Sequence, residues 1–445
     1  MAKSAVKEPK TLSTSQPKRP EGDVIAALEA RGLISQITES SLREAALNTR
    51  LTVYCGFDPT KPSLQIGNLV PVIVLAHFQR MGHQPILVVG GGTGMIGDPS
   101  GKDSERVLQT TEQILANAER VRQQLSGYLS FEGPNAAIMV NNYDWLNAIS
   151  LIEYLRDVGK HFSVNAMVAK ESVRERFENR EQGISYTEFS YMILQAIDYR
   201  HLFDVYGCTV QVGGNDQWGN LLSGVDLIRR TRDAHVHALT APLITSATGA
   251  KLGKSEKGAL FLDPEMTTPY ELYQYWINTD DRDVGRYLRV FTFLPLEEIA
   301  NLEREQAENP SSRVAQRRLA FEITRLVHGE AVARGVAGVS HVLFGGGIAD
   351  LTPDTLPYLA SVVPTTPIAA QALAAGLPLV EALVTVGAQP SRGAARRLIQ
   401  QGGLYINEQR CADPERILTA DDALFGRAIL IRMGKNKYHL LLAEE

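Results

Sequence analysis

Short, β-prone segments alternate with longer helical ones through the first half of the chain, and this alternation constrains the fold more than any other feature. The strand-like segments are "RLTVYCGF", "QPILVVGGG", "AAIMVNNYDWL" and "CTVQVGG". Their apolar runs are short, as in buried strands. The helical segments are "IGNLVPVIVLAHFQRMGH", "SYMILQAIDYRHLF" and "QWGNLLSGVDLIRR". The pattern predicts an α/β fold with a doubly wound, parallel, Rossmann-like sheet, in which ligands bind beyond the carboxyl ends of the strands.

The 445 residues divide by pattern into five regions. The polar segment 1–22, rich in Lys, Ser and Pro, is predicted to be a disordered extension. The sheet domain follows at 23–263 and a helical domain at 264–345. The stretch 346–376 is rich in Gly, Pro and Thr and is predicted to be a linker. A small α+β unit is expected at 377–445.

Composition excludes several classes of protein. The net charge is −5, so bulk charge gives no argument for nucleic acid, and any RNA contact must come from local basic clusters. The 3 cysteines lie far apart, without the spacing of a metal site or a disulfide framework. No apolar run reaches the ~18 residues that a membrane span needs. We therefore expect a cytoplasmic protein with no protein-held metal.

The segment "GGGTGMIGDPSGK" contains a literal G-x-G-x-x-G, formed by Gly92, Gly94 and Gly97. A dinucleotide site needs a helix N-terminus directly after these glycines, so that free N–H groups face a pyrophosphate. Here Asp98 and Pro99 follow instead, and a carboxylate would repel phosphate. The dinucleotide interpretation is therefore rejected. Asp98 could hold a cationic amine, or it could cap a turn.

The helix "SYMILQAIDY" places Tyr191, Gln195 and Asp198 at i, i+4 and i+7, on one face. The rest of the helix is apolar, so most of its circumference should be buried. A polar stripe on a buried helix needs partners. This favours a ligand cavity over the alternative, a solvated surface stripe.

Three loops have the composition of nucleotide-binding segments. In "VQVGGNDQWGN", bare glycines let a nucleoside approach, and Asp216 could accept ribose hydroxyls or cap the next helix. In "TGAKLGKSEKG", Lys251 and Lys254 could meet a polyphosphate, or form an exposed basic turn. In "YCGFDPTKPSLQIGN", a helix N-terminus favours phosphate and Gly67 permits close approach, although a plain Pro-containing turn would look similar.

The final unit carries a basic cluster in "SRGAARRLIQQGGLYINEQR", where Arg392, Arg396 and Arg397 share a helix face. Clustered arginines suit phosphate contact. The ordinary alternative is a solvated basic face.

In their order and spacing, these motifs resemble those of the bacterial and organellar tyrosyl-tRNA synthetases, class I enzymes that join tyrosine to tRNA. The resemblance rests on "YCGFDPT", "GGGTGMIGDPSGK", "SYMILQAID", "QVGGNDQWGN" and "KLGKS", and it covers the chain from about residue 25. The last motif matches the family's KMSKS loop. The resemblance implies an anticodon-side helical domain, a C-terminal S4-like RNA-binding module and a homodimer. Its partners are then L-tyrosine, ATP and tRNA(Tyr).

The resemblance also implies roles for individual residues, grouped here by ligand. The residues for tyrosine are Tyr54 and Asp198 at the phenol, Asp98, Tyr191, Gln195 and Thr93 at the α-amine, and Gln217 near the carbonyl. The residues for ATP are Cys55, Gly56, Asp58, Thr60, Gly67, Gly214 and Asp216. The residues for the pyrophosphate are Gln65, Asn68, Lys102, Arg106, Lys251 and Lys254. The residues for RNA are Arg392, Arg396 and Arg397, with Arg313, Arg317, Arg318 and Arg325 as further candidates.

The implied reaction has two steps. The tyrosine carboxylate attacks the α-phosphorus of ATP, giving tyrosyl-adenylate and pyrophosphate, and a terminal ribose hydroxyl of the tRNA then attacks the adenylate carbonyl. The first step needs positioning and charge stabilisation rather than a protein nucleophile. Magnesium is expected to accompany ATP without a dedicated protein site, and no tightly bound cofactor is expected.

The stretch "LQIGNL" departs from the family's HIGH signature, because Gln65 and Asn68 stand in place of the two histidines. Each amide keeps an NH₂ donor but cannot carry a positive charge. We therefore predict a modified, working ATP site. The alternative is a catalytically impaired, synthetase-like RNA-binding protein.

Overall fold

A six-stranded sheet forms the centre of the first half of the chain. The computed structural model describes residues 22–100, 109–170, 173–174, 183–250, 252–255, 258–435 and 437–444. The strands of this sheet are β1 (Gln36–Ile37), β2 (Thr52–Phe57), β3 (Gln84–Val89), β4 (Ile138–Asn141), β5 (Val210–Gly214) and β6 (His237–Ala241). They lie in the order β1-β6-β5-β2-β3-β4, and all neighbours are parallel except β1 and β6. The prediction of a doubly wound, Rossmann-like sheet is confirmed.

Helices connect these strands, as the alternation predicts. They are α1 (Val24–Ala30), α2 (Ser41–Asn48), α3 (Leu69–Arg80), α4 (Thr93–Ile96), α5 (Thr111–Leu125), α6 (Tyr143–Leu146), α7 (Leu151–Glu153), α8 (Val164–Val168), α9 (Tyr186–Tyr206) and α10 (Trp218–Arg232). The longest, α9, begins where Ser185 accepts a hydrogen bond from the Glu188 N–H, and it ends at Gly207 in the left-handed conformation. Within the described ranges, no helix has the length and apolarity to cross a membrane.

The order of the strands creates a crevice next to β2. This strand pairs with β3 on one side and with β5 on the other, so the chain winds away from it in both directions. The loops that leave the carboxyl ends of β2 and β5 therefore separate. Ligands of doubly wound sheets bind at such a switch point.

The structure divides into two compact units. The first comprises the residues up to Lys254 with Arg289–Phe291, and the second comprises Ser255–Leu288 with Thr292–Glu445. The short strands β7 (Lys254–Ser255) and β8 (Gly258–Ala259) pair with each other. The helices that follow are α11 (Pro269–Ile277), α12 (Asp281–Phe291), α13 (Leu296–Glu308), α14 (Val314–His328) and α15 (Glu330–Leu343). This run of helices lies between residues 264 and 345.

The C-terminal part of the second unit contains a five-stranded sheet. Its strands are β9 (Thr365–Ala369), β11 (Leu404–Ile406), β12 (Gln409–Cys411), β14 (Ala428–Met433) and β15 (Lys437–Glu444), in the order β12-β11-β14-β15-β9. A separate pair is formed by β10 (Leu377–Pro378) and β13 (Ile417–Leu418). The remaining helices are α16 (Leu356–Val362), α17 (Ala370–Ala375), α18 (Leu379–Thr385) and α19 (Arg392–Gln400).

The segment 346–376, predicted to be a linker, is folded instead. It contributes α16 and α17, and β9 pairs in parallel with β15. A hydrophobic cluster joins Leu356 and Leu359 of α16 to Leu430 and Leu440 of the sheet. The Gly, Pro and Thr residues resemble a loop locally, but non-local pairing and apolar burial give them regular structure.

Candidate active site

The candidate residues meet at the carboxyl ends of four parallel strands. Asp58 directly follows β2, Thr93 lies shortly after β3, and Asn142 directly follows β4. Gln217 lies in the turn that follows β5. Parallel strands bring these loops to one edge of the sheet, at the switch point where a ligand crevice is expected.

Asp198 of α9 lies at one end of this group, with both carboxylate oxygens bonded. It is 4% exposed. Its Oδ1 accepts a hydrogen bond from Trp145 Nε1 at 2.8 Å, and its Oδ2 accepts one from Asn142 Nδ2 at 2.9 Å. Burial raises the pKa of Asp198 to about 7, although these two hydrogen bonds favour the ionised form.

Tyr54 is also buried, and it is the second residue predicted to bind a phenol. Its hydroxyl has no hydrogen-bond partner among the described residues. Burial raises the pKa of Tyr54 well above its usual range, and the charge of Asp198 adds to this effect. Buried hydroxyls are normally bonded, so this orphaned group indicates a place where a ligand can supply the missing partner.

Asp58 lies at the other end of the group. Its Oδ1 accepts a hydrogen bond from Thr93 Oγ1 at 2.7 Å, and its Oδ2 accepts one from the Tyr191 hydroxyl at 2.8 Å. A Cβ atom on Gly90 would lie 2.1 Å from Asp58 Oδ1 and 2.6 Å from Thr93 Oγ1. The carboxylate therefore occupies space that only a glycine leaves open.

Asp98 lies in a third polar cluster, which joins it to the first turn of α10. Its Oδ2 accepts a hydrogen bond from Gln217 Nε2 at 2.5 Å, and its Oδ1 accepts one from the Ser100 N–H at 2.9 Å. Asn220 Nδ2 donates to Gln217 Oε1 at 3.1 Å. In α9, the buried Oε1 of Gln195 lacks a partner within the part of the chain that the structure describes. Two of the predicted tyrosine-binding groups, Gln217 and Asp98, are thus brought into direct contact.

The glycine-rich loop after β3 uses its N–H groups internally. The Gly91 N–H donates to Asn141 Oδ1 at 3.2 Å, and the Gly92 N–H donates to Asn142 Oδ1 at 2.7 Å. Backbone donors that are bonded to side-chain amides are not available to a pyrophosphate. The rejection of a dinucleotide site is consistent with this arrangement.

The two segments predicted to bind the phosphates of ATP, KLGKS and QIGN, are in contact. A Cβ atom on Gly253, in the KLGKS loop, would lie 3.6 Å from Ile66 Cβ in the QIGN turn. In that turn, Asn68 Oδ1 accepts a hydrogen bond from the Gln65 N–H at 2.9 Å. The carbonyl end of the Asn68 amide is therefore engaged, which assigns its NH₂ as the remaining donor. Next to Asn68, a Cβ atom on Gly67 would have no heavy-atom neighbour within 4 Å.

Several predicted phosphate ligands fall outside the described part of the molecule. Lys102, Arg106 and Lys251 lie outside the described residues, and Lys254 is described by its backbone, in β7. Among the residues that the structure does describe, no group of three or more His, Cys, Asp or Glu side chains could hold a metal ion.

The other predicted ATP-binding residues differ in accessibility. Gly56 and Asp216 are exposed, and a Cβ atom on Gly214 would lie 2.6 Å from Asp216 Oδ1, so a side chain there would displace the Asp216 carboxylate. The Thr60 N–H donates to the Asp58 carbonyl oxygen at 2.9 Å. Cys55 is 3% exposed, and burial raises its thiol pKa to about 12. Its thiol is thus nearly enclosed, whereas the neighbouring glycines are open.

Carboxylates already pair with most of the arginines that were predicted to bind RNA. Arg392 pairs with Glu381 and Arg396 with Glu415, at 2.8 and 2.6 Å, while Arg397 is exposed. In the helical region, the ion pairs are Arg318 with Glu298 and Glu322, and Arg325 with Glu322 and Glu330. Arg313 donates to the carbonyl oxygen of Ile277, and Arg317 is also exposed. Phosphate would therefore have to compete with these carboxylates.

Two residues of the site, the buried Asn142 and the half-buried Trp145, were not identified from the sequence. Both lie in the segment "AAIMVNNYDWL", which was interpreted only as a strand. The strand ends at Asn141, so Asn142 stands at a carboxyl end, where polar residues are informative. That position could have indicated Asn142, whereas the contact of Trp145 with Asp198 had no local signal.

Comparison with known proteins identifies relatives over nearly the whole chain. A family model described as "tRNA synthetases class I (W and Y)" matches residues 46–345, and a model described as "Tyrosine--tRNA ligase SYY-like C-terminal domain" matches residues 358–441. The tyrosine–tRNA ligase of Bacillus caldotenax is 51% identical over 422 residues, which cover 94% of this chain and 99% of that protein. That of Roseiflexus castenholzii is 48% identical over 420 residues, with the same two coverages.

A solved structure is also similar. The C-terminally truncated mitochondrial tyrosyl-tRNA synthetase of Aspergillus nidulans is 33% identical and superposes with a TM-score of 0.66. The match covers 72% of this chain and 94% of that one.

Proposed function

This chain belongs to the tyrosine–tRNA ligase family of class I aminoacyl-tRNA synthetases, and we propose how its residues divide the work of that reaction. The family uses ATP to join tyrosine to tRNA. The observation that carries the proposal is the group at the switch point, where hydrogen bonds through Thr93 and Asn142 join Asp58 and Tyr191 to Asp198. The buried Tyr54 is outside this network but lies close enough for the charge of Asp198 to raise its pKa. The contacts of this group support the roles proposed for the residues that bind tyrosine.

The phenol of the substrate binds between Tyr54 and Asp198. Within the described part of the chain the Tyr54 hydroxyl has no partner, and Asp198 retains acceptor capacity beyond its two hydrogen bonds, since a carboxylate has about four lone-pair sites. A phenol hydroxyl can donate to Asp198 and accept from Tyr54. Phenylalanine offers neither bond, so it would leave both buried groups unsatisfied, at a large energetic cost.

The α-ammonium group binds at the cluster of Asp98, Tyr191 and Gln195, with Thr93 nearby. The carboxylate of Asp98 suits a cation, as does the Oε1 of Gln195, which has no partner among the described residues. Asp58 was assigned to the ATP site from the resemblance. Because it is bonded to Tyr191 and Thr93, we assign it to the ammonium end as well.

ATP binds across the loops that follow β2 and β5. Gly56, Thr60 and Gly67 line its path, Cys55, Gly214 and Asp216 serve the ribose, and Gln217 lies near the reacting carbonyl. The groups proposed for the leaving pyrophosphate are Gln65, Asn68, Lys102, Arg106, Lys251 and Lys254. Preorganised donors of this kind stabilise charge that develops in the transition state. Magnesium enters bound to ATP, as part of that substrate.

The tRNA binds to the second unit. We assign the region 377–445 as an S4-like module whose Arg392, Arg396 and Arg397 meet phosphates, and the region 264–345 as the anticodon-side domain. Binding would exchange the Glu381 and Glu415 partners for phosphate oxygens. ATP and tRNA as substrates favour the cytoplasm as the site of the reaction.

An apolar surface in the first unit supports a homodimer. Leu151, Ile152, Leu155, Val164 and Tyr186 are between 48% and 70% exposed. Three of them lie within residues 151–155, and exposed apolar side chains that lie close together are typical of association surfaces. We expect Ile152→Asp to shift the protein from dimer towards monomer in sedimentation velocity. Leu47→Asp is the matched control, because Leu47 is an exposed leucine on α2. A dimer that persists in the Ile152 variant, or a monomeric parent chain, would contradict this assignment.

Amino-acid-dependent ATP–pyrophosphate exchange tests the function directly. The parent chain should exchange with tyrosine and not with phenylalanine or tryptophan, and it should then charge tRNA(Tyr). Exchange with tryptophan instead would overturn the substrate assignment. Absence of exchange with every amino acid, together with retained tRNA binding, would favour the alternative of an RNA-binding protein on a synthetase scaffold.

A further inference from the structure

A continuous line of buried hydrogen bonds joins the two ends of the proposed tyrosine site. It runs from Asp58 through Thr93 and Asn142 to Asp198, over distances of 2.7, 2.9 and 2.9 Å. Thr93 is 3% exposed and Asn142 is 1% exposed. Since water has little access to either side chain, a bond lost from this line is not easily replaced by solvent.

The direction of every bond in the line is determined. Asn142 Oδ1 accepts from the Gly92 N–H at 2.7 Å, so the Asn142 amide cannot turn over without losing that bond. Its two N–H groups then point to Thr93 Oγ1 and Asp198 Oδ2. The Thr93 hydroxyl receives one of these bonds and gives its own proton to Asp58 Oδ1. Thr93 therefore links the Asp58 carboxylate to the amide that holds Asp198.

We propose that Thr93 is a positioning residue for the phenol end of the site: by anchoring Asn142 it orients Asp198, and it thereby contributes to the preference for tyrosine over phenylalanine without touching the phenol. This inference rests on the assignment of Asp198 to the phenol and of Asp58 to the ammonium group.

Thr93 would act on Asp198 through the hydrogen bond that its hydroxyl accepts from Asn142. Without the Thr93 hydroxyl, one Asn142 N–H has no acceptor, and the amide can shift towards other oxygens nearby. Asp198 would then keep a well-aligned donor only from Trp145 Nε1, at 2.8 Å. The phenol needs Asp198 in a defined position, whereas the benzyl ring of phenylalanine makes no bond to it.

Three substitutions at Thr93 separate this role from the other roles it could have. Thr93→Val replaces the hydroxyl by a methyl group of similar size, so packing is retained and both hydrogen bonds are lost. Thr93→Ser is the matched control, since it keeps the hydroxyl and loses only the methyl group. Thr93→Ala also lacks the hydroxyl and replaces Val if that variant does not fold. The measured quantity is kcat/KM in ATP–pyrophosphate exchange, with tyrosine and with phenylalanine.

If Thr93 positions Asp198 in this way, Thr93→Val should lower kcat/KM for tyrosine by roughly tenfold more than for phenylalanine, because any loss at the ammonium end is shared by both amino acids. The ratio between the two amino acids should then fall, and Thr93→Ser should restore it. In an Asn142→Ala background, Thr93→Val should no longer change the ratio, because the link is already broken.

Two results would overturn the proposal. An equal loss for both amino acids would mean that Thr93 acts only on the shared ammonium group, and no loss for either would mean that the line is not used. These outcomes differ from failure of the proposed function, in which the parent chain itself shows no tyrosine-dependent exchange. A further case is a parent chain that exchanges with tyrosine while Thr93→Val leaves the ratio of kcat/KM for tyrosine to that for phenylalanine unchanged. That result would reject the role of Thr93 and leave the proposed function intact.

Discussion

Replacing Asp198 by asparagine should stabilise the protein at pH 8 and destabilise it at pH 4. Burial raises the pKa of Asp198 to about 7 from an ordinary value of 3.8, so folding favours the protonated carboxyl. Its contribution to stability is complete below the pKa of the unfolded chain. That contribution is lost as the pH rises from about 4 to about 7, because the unfolded chain then binds fewer protons than the folded one.

The magnitude follows from the width of this pH window. About three pH units at about 1.4 kcal/mol each correspond to roughly 4 kcal/mol of stability lost from the parent chain between pH 4 and pH 8. Asparagine does not titrate, but its NH₂ group opposes one of the two donors, Asn142 or Trp145, at a cost of about 1 kcal/mol. The variant should therefore be less stable by about 1 kcal/mol at pH 4 and more stable by about 3 kcal/mol at pH 8.

Denaturant unfolding of both proteins between pH 4 and pH 8 measures this difference. Asp226→Asn is the control, because Asp226 is a surface carboxylate whose side chain is 52% exposed. Titrations elsewhere, such as that of the buried His83, cancel when the variant is compared with the parent. A difference in unfolding free energy that stays constant over this pH range would refute the reasoning. The stabilised variant should also lose tyrosine-dependent exchange, since the phenol loses its charged acceptor.

Two further predictions concern the neighbouring loops. Gln65→Ala should lower the rate of tyrosine activation by roughly tenfold, because a donor to the phosphates is lost. The KM for tyrosine should stay unchanged. An unaltered rate in pyrophosphate exchange would mean that the lysines hold the phosphates alone. Gly90→Ala should raise the KM for tyrosine by at least about tenfold, because its Cβ atom would lie 2.1 Å from Asp58 Oδ1 and displace that carboxylate. A KM equal to that of the parent would show that Asp58 can move without weakening the binding of tyrosine.

Local pattern was sufficient to predict the catalytic sheet and its helices. The apolar run of β3 and the polar stripe of α9 depend on neighbours in sequence, so both could be found from the residues alone. The bonds between Asp58, Thr93, Asn142 and Asp198 could not, because these residues come from four separate elements and meet only when the sheet forms. The same reason explains why the segment 346–376 was predicted to be a linker. Its strand β9 pairs with β15, which comes much later in the chain.

That pairing determines when the second sheet can be completed during synthesis. Strand β9 (Thr365–Ala369) leaves the ribosome well before β15 (Lys437–Glu444), its neighbour in the sheet. Until then β9 is an unpaired edge, and edges of this kind attract other chains. The first sheet and the helices α11 to α15 consist of residues that precede β9 in the chain, so they can fold earlier. The nascent protein therefore has a period in which its first unit is complete while the five-stranded sheet of its second unit is still unfinished. Chaperones would be most useful at that stage.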